Sequence, residues 1–143
     1  MTREDEISIS VHEADAAPED VAAVMNGLLA YNDAYTEFNR RDLSIFARDA
    51  EGKLIGGMLG ESMFGWLHIR IFWLSEDARR HGLGSKLLSM AEDEGRRRGC
   101  KYVYLNTFSF QARPFYEKQG YECISTQEDF PVGHQNHLMK KAL

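Results

Sequence analysis

The spacing of apolar residues changes twice between residues 66 and 105, and this change constrains the fold more than any other feature of the chain. Residues 66–74 alternate with a period of two, which is typical of a β-strand. From Gly84 the apolar positions follow a helical stripe, and Gly99 is a stop signal for that helix. Residues 102–105 then form a second strand. A strand, a helix of about four turns and another strand make a βαβ unit, so we expect two parallel, neighbouring strands.

Strict alternation along residues 66–74 assigns the side chains of this strand to two faces of a sheet. The predicted faces are Leu67, Ile69, Ile71 and Trp73 on one side, and Trp66, His68, Arg70 and Phe72 on the other.

The rest of the chain shows the same two periodicities. Residues 32–41 are polar and aromatic, and they fit either a short helix or a loop. The other predicted elements are strands at 7–11, 43–48, 54–61, 121–126 and 135–141, a helix that begins at Pro18, and a short helix at 111–119. These elements predict a mixed sheet with helices packed on it.

Length and composition exclude several classes of protein. The chain has 143 residues, 43% of them hydrophobic, which predicts a single domain spanning 1–143. A formal net charge of -5 argues against a nucleic-acid partner. No apolar run has the length of a membrane span, and the first residues lack the apolar stretch of a secretory signal, so we expect a cytoplasmic protein without a membrane partner. Cys100 and Cys123 are expected to be buried, reduced thiols.

The segment 79–84 combines two arginines with two glycines at the start of the long helix. Glycine lets backbone N–H groups approach a ligand closely, and a helix N-terminus carries partial positive charge, so the segment suits a pyrophosphate. On the two glycines alone, a glycine turn without a ligand is the better explanation, and Arg79 and Arg80 strengthen the case for an anion. The dinucleotide fingerprint does not fit because its third glycine is missing, and Gly84-Ser85-Lys86 is not a P-loop ending.

Two motifs around this helix resemble those of the GNAT acetyltransferases. Arg79-Arg80-His81-Gly82-Leu83-Gly84 is similar to the family's phosphate-binding motif, and Phe115-Tyr116-Glu117-Lys118-Gln119-Gly120-Tyr121 to its tyrosine motif. The resemblance covers residues 43–124. It implies an α+β fold, an α/β-type mixed sheet with helices on both faces. It also implies transfer of acetyl from acetyl-CoA to a primary amine of a small molecule, by direct attack in a ternary complex. No metal is expected, and a homodimer is one possible assembly.

The resemblance also implies which residues hold acetyl-CoA, the acyl donor. The N–H groups of residues 80–85 would cradle the pyrophosphate, and the strand end at 72–74 would pair with the pantetheine. A backbone N–H near Leu74 would polarise the thioester carbonyl. The strands of Trp73 and Tyr104 would splay to admit the thioester. The implied contacts are Phe72, Trp73, Leu74, Arg79, Arg80, His81, Gly82, Leu83, Gly84, Ser85, Tyr116 and Ser109, which replaces the family's usual asparagine.

Proton transfer needs a donor for the departing thiolate and an acceptor for the amine proton. Tyr116 resembles the family's donor, and with an ordinary pKa of about 10 its hydroxyl is protonated at neutral pH. Packing against the sheet is the alternative role for this ring. Glu61 and His68 are candidate bases, although an ordinary surface or core histidine is an equal reading of His68.

The acceptor site is the least specified part of the sequence. The resemblance places it in the helical region after the first strand and in the last loops. The candidates are Tyr31, Asn32, Tyr35, Glu37, Asn39, Glu128 and Asp129, acidic and aromatic residues that would suit a cationic amine or form a solvated face. Residues 105–112 also resemble a subgroup that includes antibiotic-modifying acetyltransferases. The alternatives are a protein N-acetyltransferase, a non-catalytic acyl-CoA sensor, and an interaction module whose glycine loop is only structural.

Overall fold

A computed structural model describes residues 6–143, which form two compact units with a boundary between Phe38 and Asn39. In the first unit, helix α1 spans Pro18–Asn32, with proline in its first turn and Glu19 and Asp20 beside it. Proline at this position is preorganised for helix and lacks an N–H that would need a partner. Residues 33–40 form turns and loop, so the loop alternative is the correct one. That the chain is a single domain remains a prediction.

The expected strand at residues 7–11 is wrong, because residues 7–12 have neither strand nor helix conformation. A strand exists only where a neighbouring strand completes its hydrogen bonds. Alternation of Ile7, Ile9 and Val11 indicates a two-faced segment but says nothing about such a neighbour.

The second unit contains one six-stranded sheet and two α-helices, one of 15 residues and one of 6 residues. Its elements are β1 Arg41–Arg48, β2 Leu54–Met63, β3 Trp66–Leu74, α2 Leu83–Arg97, β4 Tyr102–Phe108, α3 Arg113–Lys118, β5 Glu122–Glu128 and β6 Gln135–Ala142. The strand order is β1-β2-β3-β4-β6-β5. Only β3 and β4 run parallel, as the βαβ pattern predicts, and the other neighbours are antiparallel. The α+β fold with a mixed sheet is therefore confirmed. No helix among residues 6–143 is long and apolar enough to cross a membrane.

The core lies between the sheet and helices α2 and α3, which pack on the same sheet face. Its fully buried side chains include Leu67, Leu88, Val103, Leu105 and Met139. Because this unit supplies helices to one face only, helices on both faces remain a prediction. Both cysteines are free thiols, and of the two only Cys100 is buried.

A β-bulge at Arg70 overturns the predicted faces of β3. Ile69 pairs with Gly60 and Ile71 with Leu59, so Arg70 is an extra residue on β3. One extra residue reverses the alternation beyond it. Ile71 and Trp73 are therefore 48% and 49% exposed on the face of Trp66 and His68, while Phe72 and Leu74 pack against the core.

Candidate functional site

Strands β3 and β4 separate part of the way along their length. Their pairing ends at Ile69 and Leu105, after which β4 pairs with β6 and β3 with β2 only. The predicted divergence of these two parallel strands is confirmed. Along Phe72–Leu74, the edge of β3 that faces β4 has no partner strand among the described residues. Such an edge can pair with an extended ligand.

The loop between β3 and α2 is shaped by two residues with positive φ. A single 3₁₀ turn at Glu76–Ala78 leads to Arg80, with φ of 67°, and to Gly82, the N-cap of α2, with φ of 74°. Within the described chain, no side chain caps α2 and its first turn holds no acidic residue. The helix therefore presents N–H groups and partial positive charge that suit an anion. Arg80 and His81 are exposed beside it.

The two glycines of this loop differ in what surrounds them. A Cβ on Gly84 would lie 3.4 Å from Phe115 Cζ and 3.5 Å from Leu74 Cδ1, so this glycine faces the core. A Cβ on Gly82 would meet nothing within 4 Å. Open space at Gly82 and the helix N-terminus beside it leave room for a ligand there.

Side chains also tie this loop to its surroundings. Arg79 Nε donates to the carbonyl oxygen of Leu74 at 3.2 Å, and Gln119 Nε2 donates to Ser85 Oγ at 2.9 Å. Leu83 packs against the core. The end of β3, the loop and the end of α3 are thus held together.

Tyr116 is a buried residue of α3, 7% exposed. Its ring packs edge-on against Phe115 and Tyr121, with centroids 5.2 Å and 5.8 Å away. Burial raises the pKa of Tyr116 to about 12. Its hydroxyl is therefore protonated at neutral pH and able to donate.

The structure brings Glu61 and His68 together on the sheet face opposite the core. Phe64 and Gly65, with φ of 56° and 82°, form the two-residue turn between β2 and β3, which pairs Glu61 with His68. His68 Nδ1 lies 3.0 Å from Glu61 Oε1. Turn residues at 64–65 between two alternating segments are a signal from which this pairing could have been predicted.

Tyr104 and Arg70 complete this cluster, and neither was predicted from the sequence as a site residue. The ring of Tyr104 stacks on His68, with centroids 4.4 Å apart and planes 5° apart. Burial, and secondly the negative charge of Glu61, raise the pKa of Tyr104. Glu61 Oε2 is buried without a hydrogen-bond partner in the described structure, and Arg70 Nε lies 3.8 Å from it.

An open groove of about 360 Å³ adjoins this cluster, and we refer to it as the aromatic groove. It is lined by Glu61, Met63, Phe64, Trp66, His68, Tyr104, Ile124 and Leu138. Trp66 is stacked on Tyr102 at 4.6 Å, and Lys140 Nζ lies 5.0 Å above the ring of Tyr102. Apart from Glu61 and His68, the lining was missed because it comes from five strands and a turn that are distant in sequence.

The remaining predicted residues lie elsewhere. Tyr31, Tyr35 and Glu37 belong to the first unit, where the two tyrosine rings are 5.9 Å apart. Glu128, on β5, accepts a hydrogen bond from Gln135 Nε2 at 2.8 Å and does not line the aromatic groove. Ser109 Oγ accepts the N–H of Gln135 at 3.0 Å, beyond the end of β4. Within residues 6–143, no three acidic, histidine or cysteine side chains are placed to hold a metal.

Comparison with known proteins agrees with this architecture. The sequence model of the Acetyltransferase (GNAT) family matches residues 11–121. An acetyltransferase from Agrobacterium fabrum is 38% identical over 129 residues, covering 90% of this chain and 93% of that protein. A blasticidin-S acetyltransferase from Streptomyces morookaense is 37% identical over 107 residues, covering 72% and 79%.

A solved acetyltransferase structure has the same fold as this chain. The crystal structure of an acetyltransferase from Bacillus cereus superimposes with a TM-score of 0.83 at 33% identity, covering 93% of this chain and 98% of that one. The family match and the two relatives show that the chain belongs to the GNAT family and is an acetyl-CoA-dependent acetyltransferase.

Proposed function

We propose that this enzyme transfers the acetyl group of acetyl-CoA to the primary amine of a small molecule, by direct attack in a ternary complex. The observation that carries this proposal is the separation of β3 from β4 after Ile69 and Leu105. The loop that contains Gly82 follows the C-terminal end of β3. The Glu61–His68 pair lies at the point where β3 and β4 separate. Donor and acceptor could therefore meet at one opening in the sheet.

The residues around this opening fit acetyl-CoA, which supplies an activated acetyl thioester. The N–H groups of residues 80–85 would hold its pyrophosphate, and the free edge of Phe72–Leu74 would pair with the pantetheine amides. A backbone N–H near Leu74 would polarise the thioester carbonyl. The Ser109 hydroxyl accepts one hydrogen bond and still has a proton to donate to the pantetheine.

Proton movement is assigned to two places. Tyr116 would protonate the departing thiolate, because its raised pKa keeps the hydroxyl protonated. His68 would take the amine proton at Nε2, because Nδ1 lies against the carboxylate of Glu61, which would stabilise the imidazolium that forms. Neither role is needed by a non-catalytic acyl-CoA sensor.

A small-molecule acceptor is favoured over a protein. The blasticidin-S acetyltransferase is named for a small molecule, and it shares 37% identity with this chain. The aromatic groove, at about 360 Å³, has the size of a small-ligand site.

The test is acetyl transfer from acetyl-CoA to a panel of small primary amines, compared between wild type and Tyr116→Phe. Removing the hydroxyl keeps the ring packing, so we expect coenzyme A affinity within about twofold and a single-turnover rate lowered by ~100-fold. Single-turnover measurement is needed because slow product release can hide a loss in chemistry.

Tyr102→Phe is the matched control, since Tyr102 is stacked on Trp66, away from α3. Transfer to no amine would refute the proposed function. A wild-type single-turnover rate in Tyr116→Phe would leave water as the donor.

A further inference from the structure

We propose that the aromatic groove binds the acceptor, and that it selects a small monoamine whose amino group is attached to an aromatic or similarly flat apolar group. This inference rests on the proposed function, because an acceptor site presupposes acetyl transfer. It replaces the acidic residues around Glu37 and Glu128 with a different set of residues and a different ligand class.

The groove has a polar end and an apolar end, and the strand register orients them. His68 pairs with Tyr104 one step before Ile69 and Leu105, where β3 and β4 separate. Trp66 pairs with Tyr102 two residues earlier, and the turn at Phe64 lies farther from the opening. An amine placed at the polar end is therefore next to the opening, while its substituent extends towards Trp66 and Phe64.

Glu61 supplies the polar recognition. One of its oxygens, Oε1, lies 3.0 Å from His68 Nδ1, but Oε2 is buried and has no hydrogen-bond partner in the described structure. Arg70 Nε, at 3.8 Å, is within ion-pair distance of this oxygen but too far away for a hydrogen bond, so a ligand N–H that reaches the oxygen adds a hydrogen bond that residues 6–143 do not make on their own. A primary amine provides that donor, and a carboxylate in the same place would be repelled.

The walls of the groove select the substituent. Trp66, Tyr104, Phe64, Ile124 and Leu138 present aromatic and aliphatic surface. The indole of Trp66 is stacked on Tyr102 at 4.6 Å, which holds its ring in place. Flat apolar groups pack best against such fixed rings.

The charges around the groove disfavour a ligand with several positive charges. Among residues 6–143, Glu61 is the one acidic side chain that lines the groove. Arg70 lies 3.8 Å from it, and Lys140 lies 5.8 Å from the Trp66 ring. One carboxylate beside two cationic side chains does not produce an excess of negative charge. A diamine would place its second ammonium on the apolar wall or near Lys140.

The experiment is isothermal titration of the full chain saturated with coenzyme A. The probes are 2-phenylethylamine, n-butylamine, 1,4-diaminobutane and 3-phenylpropionate. We expect 2-phenylethylamine to bind at least tenfold more tightly than n-butylamine, with the diamine no better than n-butylamine and the carboxylate not binding. Preference for the diamine, or no heat from either monoamine, would overturn the assignment.

Two matched variants locate the site. Ile124→Trp fills the groove from a side chain that is 48% exposed, and should weaken 2-phenylethylamine binding at least tenfold. Ser44→Trp adds bulk to an exposed position of β1 outside the groove lining and should bind normally. If Ile124→Trp does not fold, Trp66→Leu tests the same wall. Undiminished binding in a folded groove variant refutes the inference.

The two proposals fail differently. If acetyl is transferred to amines but groove variants bind and react like wild type, the proposed function stands and the groove assignment is wrong. If no amine is acetylated although coenzyme A binds, the proposed function is wrong, and the titrations still decide whether amines occupy the groove.

Discussion

Gly82 and Gly52 have nearly the same backbone conformation but different surroundings. Their φ values are 74° and 84°, and neither would bring a Cβ within 4 Å of another atom. Replacing either glycine with alanine strains the left-handed backbone conformation by roughly 1–2 kcal/mol. Because only Gly82 is at the α2 N-terminus, we expect Gly82→Ala to weaken coenzyme A binding by about tenfold and Gly52→Ala to leave it unchanged. Titration with coenzyme A checks this, and equal affinities in both variants would contradict a ligand at the loop.

The neighbouring glycine illustrates what a motif cannot specify. From the sequence, Gly82 and Gly84 are equivalent candidates for a close approach to phosphate. The structure turns Gly84 towards Phe115 and Leu74, so a larger residue there would disturb packing first. A one-dimensional motif identifies the loop, but only the position of α3 distinguishes the two roles.

The C-terminal end of α2 is fastened by Glu94, Arg97 and Arg98. Both arginines hydrogen-bond the carboxylate of Glu94, and Arg98 also donates to the carbonyl oxygens of Arg41 and Asp42 on β1. These hydrogen bonds lower the pKa of Glu94 to about 2. The end of the helix is thereby connected to the edge strand of the sheet.

A lowered pKa makes this contribution to stability depend on pH. Glu94 has an ordinary pKa of 4.5, so its pairing stabilises the fold above pH 4.5, and the benefit is lost as pH falls from 4.5 to 2. We expect Glu94→Gln to have a lower Tm than wild type at pH 7 and the same Tm near pH 2. Thermal unfolding between pH 7 and pH 2 is the measurement. A Tm difference between the two proteins that stays the same at every pH would show that Glu94 acts through something other than its charge.

Helices and strands could be predicted where the sequence signal lies within one segment, but the two faces of a strand could not. Helix α2 and strand β3 follow from periodicity within one segment, and their predicted bounds agree with the structure. The bulge at Arg70 depends on how β2 and β3 fit together, so alternation alone assigned Ile71, Phe72 and Trp73 to the wrong faces. The prediction of a strand at residues 7–11 was wrong for a related reason, since a strand also requires a neighbouring strand.

At the scale of the whole molecule, a buried carboxylate joins three parts of the second unit. Glu92 of α2 is 6% exposed, accepts the hydroxyl of Tyr121 at 2.8 Å, and receives Lys141 Nζ of β6 at 3.0 Å. Tyr121 follows α3 and packs on Tyr116. The network thus connects the long helix, the last strand and the segment that carries the proposed proton donor.

Removing this carboxylate takes the acceptor from the buried Tyr121 hydroxyl and breaks the partly buried pair with Lys141. We expect Glu92→Ala to lower the free energy of unfolding by about 2 kcal/mol, because a buried hydroxyl loses its acceptor while Lys141, whose side chain is 25% exposed, keeps access to water. Asp93→Ala is the control, since its pair with Arg96 is solvent-exposed and should be worth under about 1 kcal/mol. Urea denaturation measures both, and similar losses in the two variants would argue against the network.

The candidate site was predictable in proportion to how local it is. The loop at 79–84 and Tyr116 could be identified because each belongs to one contiguous motif. Glu61 and His68 were identified singly, and their partnership depended on a turn. The aromatic groove was not foreseen, because Ile124 and Leu138 reach it only through the order of strands in the sheet.

The turn at Phe64 and Gly65 has an evolutionary consequence. Since two residues between paired strands bring Glu61 opposite His68, the partnership is inherited through loop length as well as through side-chain identity. Substitutions can alter Phe64 gradually, but one inserted or deleted codon in this turn would shift the two partners out of step at once. Lineages that keep the Glu61–His68 pair should therefore vary in the composition of the turn and hold its length constant.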